Sequence, residues 1–327
     1  EQLFLPPFPA ASERLIETSL HHQWKIEEIP RWVHQSPIQS APSFQRFSMS
    51  TCYLNRFKHA GGRLHEGCTV QSIKQIGSTW HISCTTLKGD FTYSCKTLFL
   101  SAGSLGTPFL LLKNNLIRRR TLPLYLHPMI KFITHFHKPI AEKQQWVGMH
   151  QITEFLPQFT VGSSISSLPF LGVGLYHYPK ILTSIQSLQS YLSSYYISIS
   201  SYEPATIHIL PGLSSPLVRH SISSAERRLF FQALNQITTA FLNTNTASIY
   251  VDGKMLPVLT ATSPCLHSEK QLDMAEFSSV HLMGSCPMNA HPKQGITNPF
   301  GNVHGHENLY INDASLFCSS IGVNPQG

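Results

Sequence analysis

Apolar positions recur at helical spacing in three places. Leu15, Ile16, Leu20 and Trp24 fall on one face of a helix predicted from Ser12 to about Trp24. Ser48 to Ala60 predicts a second helix, stopped by Gly61-Gly62. Ser224 caps a third, Ala225 to Leu242, with Leu229, Ala233, Ile237, Ala240 and Phe241 as its stripe. That spacing is core packing rather than a cofactor contact. Elsewhere a period of two dominates. Thr79–Thr86 and Phe91–Cys95 flank Lys88-Gly89-Asp90 as a hairpin. Arg63–Ile73 reads as a strand pair or one bent strand. Met129–His137, Phe159–Ser166, Tyr195–Ser201 and Thr206–Leu210 read as short strands, and Ser184–Ser200 suits either strand or helix. Residues 34–47, rich in Ser, Pro and Gln, read as a loop.

Thr97–Ser101 is a short, nearly continuous apolar run, the pattern of a buried parallel strand. Gly103 ends it, and a helix from Ser104 to about Asn114 follows. Small residues at a strand's carboxyl end let a ligand approach the backbone, although a plain tight turn gives the same string. Near the end of the chain Leu309-Tyr310-Ile311 is a second short β run. Asp313-Ala314-Ser315 breaks it, and Asn324-Pro325 is a helix-start signal.

Composition narrows the classes. The chain has 327 residues, enough for one large domain or two moderate ones. Its Lys and Arg are scattered despite a net charge of +7, which disfavours a nucleic-acid surface. Arg118-Arg119-Arg120 reads as a solvated loop, with a phosphate site as the alternative. No apolar run is long enough to span a membrane. The seven cysteines include no Cys-x-x-Cys pair and read as mostly buried thiols in a reducing, cytoplasmic compartment. His135-x-His137 puts two imidazoles on one strand face, but no third metal ligand is suggested nearby. No Gly-x-Ser-x-Gly elbow supports a hydrolase.

The C-terminal stretch carries the most specific pattern. It runs His281-Leu-Met-Gly-Ser-Cys-Pro-Met, then Gly301-Asn-Val-His-Gly-His, Asn308-Leu-Tyr-Ile-Asn-Asp313-Ala-Ser, and Asn324-Pro325. It resembles the C-terminal signature of the glucose–methanol–choline (GMC) family of FAD-dependent alcohol oxidoreductases, and the His281-to-Asn324 spacing is close to that family's. Ala102-Gly103-Ser-Leu-Gly106-Thr-Pro108 is similar to the family's segment beside the flavin. The middle of the chain resembles the family only weakly.

The resemblance implies an α/β plus α+β fold. An FAD/NAD(P)-binding, Rossmann-like domain would be assembled from discontinuous segments, 34–112 and 281–327. A mixed-sheet substrate domain at 113–280 would be inserted, and 1–33 would pack on it. The resemblance also implies that FAD accepts a hydride at flavin N5 from a small alcohol. His281 would be the base, and Asn324 the second polar group on the alcohol oxygen. Asp313 and Ala314 would lie beside the ribityl–pyrophosphate, Ala102 and Gly103 beside the flavin, and Val70 near the adenine. The helix starting at Pro325 would face the reduced flavin's negative charge. Cys286 reads as packing, and His304-Gly305-His306 as a structural turn.

The Gly-x-Gly-x-x-Gly loop of dinucleotide folds is absent from the sequence. Position 1 is Glu rather than Met, the first residues, Glu1 to Pro7, lack a charged start and a cleavage site, and the sequence stops at an expected helix start. The chain is therefore expected to be an internal piece of a longer flavoprotein. The rival expectation is a non-catalytic remnant or interaction protein.

Overall fold

A computed structural model describes residues 10–29, 33–35, 44–140, 148–210 and 212–322. The chain divides into two compact units. The described parts of Glu1–Gly62, Pro128–Ile199 and Ser224–Ser278 form one, and those of Arg63–His127, Ser200–Ser223 and Ser279–Gly327 form the other.

The first unit is built on a seven-stranded antiparallel sheet. Its order is Ile26–Glu28, His150–Ile152, Thr160–Ser163, Leu192–Ser198, Met129–Phe136, Thr246–Val251, with Phe277–Ser278 also on Met129–Phe136. Met129–Phe136 is central and nearly all buried, as a strand covered on both faces must be. Phe132 stacks on Tyr195, and Phe241 of the helix Ser224–Leu242 packs against both rings. Ala233, Leu234, Ile237 and Phe241 are buried along that helix, as their spacing predicts. The helix Ala10–His21 buries Ala11, Leu15 and Thr18, and the Tyr195 hydroxyl donates to the Ala11 carbonyl at 3.0 Å. Ile133, the neighbour of Phe132, points the other way into a cluster with Leu171, Leu175 and Tyr178.

The helix Met49–His59 is closed by a reciprocal Ser48–Thr51 capping box. Where a loop was expected, Val33–Gln35 pairs antiparallel with Phe44–Arg46. Such a ribbon depends on a partner strand rather than on its own alternation.

The second unit holds an antiparallel sheet of Thr69–Ile76, Thr79–Thr86 and Gly89–Cys95. A second sheet runs Leu217–Arg219, Ala205–His208, Thr121–Leu126, Leu282–Met283. Leu98–Leu100 and Leu309–Ile311 pair in parallel; the other named strand pairs among the described residues are antiparallel. The core contains Ile73, Trp80, Ile82, Leu100, Leu111, Leu122, Leu124, Ile207, Val303 and Ile311. Trp80 is fully buried, and its indole nitrogen donates to the Glu307 carbonyl at 3.1 Å.

Three expectations change. Only Thr69 onward is strand in the segment expected to pair or bend from Arg63. The stretch 113–280 is not one body. Thr121–Leu126, Ala205–His208 and Leu217–Arg219 belong to the second unit, because they pair with one another and with Leu282–Met283. The described residues of 34–62 belong to the first. Cys84 and Cys286 alone among the seven cysteines are buried, all seven are unpaired, and Cys318 is exposed. No helix among the described residues is long and apolar enough to cross a membrane.

Candidate functional site

His281 is placed by strand register. Leu282 pairs with Leu126 and Met283 with Tyr125 in an antiparallel ladder. One step further along that ladder sets His281 opposite His127. The two Nδ1 atoms lie 3.0 Å apart, with the rings edge to face and their centroids 5.2 Å apart. Ser279 clasps both main chains: its hydroxyl accepts from the His127 amide at 3.2 Å and donates to the His281 carbonyl at 3.0 Å.

The environments of the two rings differ. His127 is 4% exposed, and its Nε2 is buried with no partner among the described residues. Burial, then the neighbouring His281 charge, pushes its pKa down to about 4. His281 is half-buried, and burial lowers its pKa as well. Both imidazoles are therefore neutral near pH 7, the form in which a ring nitrogen can accept a proton.

The parallel pair ends beside this site. The first turn of the helix Gly103–Lys113 follows Leu98–Leu100, and the Ser104 hydroxyl donates to the Leu282 carbonyl at 2.8 Å. The Asp313 carboxylate joins the two strand ends. One oxygen accepts from the Gly103 amide at 3.0 Å and from the Thr107 hydroxyl; the other accepts from the Ser315 amide at 2.8 Å. Asp313 thus holds the helix start and its own turn, through an acceptor pair that an isolated turn former would not need. The Ala314 carbonyl accepts from the Gly284 amide at 3.0 Å. Gly284 has φ +69°, and a Cβ there would meet Tyr125 Cδ2 at 2.6 Å, so the glycine is required twice over.

Gly103, at φ +76°, has open space where a side chain would project, and Ala102 before it is exposed. The first of the two parallel strands runs into small residues, Ser101 to Gly103, which leaves its carboxyl end open to a ligand; the second runs into Asn312 and Asp313. Val70 lies farther along the unit, half-buried on the core at a bulge in the strand Thr69–Ile76. Asn324 and Pro325 lie outside the described residues.

Cys286 is fully buried and its thiol is pushed up to about 12 by burial, which suits packing. His304 contacts the Asn289 carbonyl and His306 the Leu116 carbonyl, so this turn is structural. Among the described residues no group of three or more His, Cys, Asp or Glu could hold a metal ion. Sequence reading missed His127, Ser279, Ser104 and Thr107. His127 sits in an ordinary His-Pro string at the end of a strand, and its meaning comes from a residue 154 positions away.

Residues 219–327 match the family model described as GMC oxidoreductase. An uncharacterized GMC-type oxidoreductase of Sinorhizobium fredii is 26% identical over 238 residues, covering 70% of this chain and 46% of that protein. A long-chain-alcohol oxidase of Arabidopsis thaliana is 22% identical over 268 residues, covering 72% of this chain and 35% of that protein. The chain thus spans less than half the length of these two curated relatives. Pyridoxine 4-oxidase from Mesorbium loti superposes with a TM-score of 0.71 at 17% identity, covering 98% of this chain and 68% of that one. An FAD-dependent oxidoreductase from Chaetomium thermophilum gives 0.66 at 12%, covering 98% and 69%. At these identities the structural likeness is one of fold: a mixed α/β architecture with antiparallel sheets.

Proposed function

From the match of residues 219–327 to the GMC oxidoreductase family model, we propose that the chain is part of a flavoprotein of that family oxidising a small-molecule alcohol. The observation that carries this reading is His281, a neutral, half-buried imidazole in the segment that matches the family, held at 3.0 Å by the buried His127. The open, small-residue end of the strand Leu98–Leu100 fits a bound FAD. Ala102 and Gly103 would approach it by backbone. Asp313 and Ala314 would hold the turn beside it, and Val70 would lie towards the adenine. The parallel strand pair and the helix after it would form part of a Rossmann-like FAD/NAD(P)-binding domain.

FAD, when bound, supplies the acceptor for the hydride leaving the alcohol carbon. The chain's own residues handle the proton. His281 Nε2 takes it from the alcohol hydroxyl, the ring being kept neutral by burial and so free to accept it. Asn324 would hold the alcohol oxygen. The long-chain-alcohol oxidase among the relatives supports an alcohol as the substrate class.

The test is His281→Ala in the flavin-loaded protein. Flavin should stay bound, because the residues proposed to hold it are untouched. Its reduction by alcohol, followed by stopped-flow absorbance, should slow by roughly 100-fold or more. An unchanged reduction rate removes His281 from the base role.

A further inference from the structure

We propose that His127 is the positioning residue for His281: the His127 Nδ1 lone pair accepts a hydrogen bond from the His281 Nδ1–H, so that His281 Nε2 keeps its lone pair free. This rests on the reading of His281 as the base. A contact of 3.0 Å between two Nδ1 atoms holds one proton: one ring donates and the other accepts. Either arrangement contains one ring protonated at Nδ1 and one at Nε2, so the intrinsic tautomer preference of imidazole cancels between them.

Exposure then separates the roles. The Nε2 of His127 is buried, so a dissolved substrate has no path to it. His281 alone of the pair can present a nitrogen outward. When His281 takes a proton it carries N–H on both nitrogens. The contact survives that step only if His127 is the acceptor. His127 must stay neutral to accept, and its burial together with the adjacent His281 keeps it so. It thereby orients the base without placing a fixed charge beside it, unlike a carboxylate in the same position.

The placement is built into the backbone. The ladder of Leu282–Met283 on Thr121–Leu126 sets the two residues opposite each other, and Ser279 ties them together. In this arrangement the buried Nε2 of His127 is a donor without a partner among the described residues.

The tautomers can be read directly by long-range proton–nitrogen correlation NMR on the chain labelled with 15N-histidine at pH 7.5. His281 should be protonated at Nδ1 and bare at Nε2, and His127 the reverse. The opposite assignment overturns the proposal. In His127→Leu the His281 signals should move towards a mixture of tautomers. In the flavin-loaded protein carrying that change, reduction by alcohol should slow by about 10-fold or more with KM unchanged, the loss of one hydrogen bond to a charged group. His127→Asn, which offers an amide oxygen as acceptor, should restore most of the rate. His281 signals unmoved by His127→Leu also overturn the proposal. The two readings fail separately. Reversed tautomers with a slow His281→Ala enzyme sink only the role of His127. Unchanged reduction in His281→Ala, with the tautomers as stated, sinks only the base.

Discussion

Lowering the pH should destabilise the second unit through His127. An unfolded chain lets this imidazole titrate near 6.5, whereas the folded chain holds it down to about 4 by burial and by the neighbouring His281 charge. Between those values the unfolded state binds a proton that the folded state refuses. Stability is therefore full above about pH 6.5 and is lost as pH falls towards 4. Linkage over this interval gives a loss of about 2 kcal/mol at pH 5 and about 3 kcal/mol at pH 4. His127→Leu removes the titrating group and keeps an apolar side chain in its buried place. His135 and His150, also lowered by burial, remain in both proteins and cancel in the comparison, whereas His281 touches His127 and titrates as a pair with it. The assay is urea unfolding at pH 7.5, 5 and 4, followed by tryptophan fluorescence, since Trp80 is buried in the core of the same unit. The gap between wild type and variant should narrow or reverse by about 3 kcal/mol from pH 7.5 to pH 4. A gap constant across that range would refute the buried, neutral state of His127.

Two further perturbations probe other parts of the structure. Asp313→Ala strips the acceptors from the Gly103 amide, the Thr107 hydroxyl and the Ser315 amide, and Thr107 is fully buried. A loss of about 3–5 kcal/mol in urea unfolding is expected, and a loss under about 1 kcal/mol would mean that this carboxylate does not hold the strand ends together. In the first unit, burial and then Glu276 push Asp252 up to about 6. Its folded pKa lies above its unfolded value, so the unfavourable charge develops as pH rises from about 4 through 6. Asp252→Asn should raise stability at pH 7 by on the order of 1–3 kcal/mol and have little effect at pH 4. A variant less stable than wild type at pH 7 contradicts that reading.

Local patterns explain what was legible in the chain. The helix predicted from Ser48 and its Gly61-Gly62 stop are read within a few turns of chain, and the helix Met49–His59 lies between them. The Lys88-Gly89 turn needs only Gly89 at positive φ, and the two strands around it formed as expected. The buried stripe of Ser224–Leu242 follows from the period of an α-helix. Short edge pairings were not legible. Val33–Gln35 and Phe44–Arg46 are three residues each and become strands by finding each other. The division of 113–280 was hidden for a related reason. Thr121–Leu126 alternates like its neighbours in sequence, and only its pairing with Ala205–His208 and Leu282–Met283 assigns it to the second unit.

The candidate site divides in the same way. The sequence alone determined the chemical types: an imidazole before Leu-Met-Gly, small residues after an apolar strand, an acid after a second one. Each is a short string whose meaning lies in its own backbone. Tertiary structure alone decided the partners. The Asp313 carboxylate reaches Gly103 across 210 positions because parallel strands bring their carboxyl ends together. His127 meets His281 across 154 positions because an antiparallel register aligns them one step beyond the last paired residues. A hydrogen bond spans about 3 Å whatever the separation along the chain, so such contacts are set by strand pairing, and no local pattern encodes them.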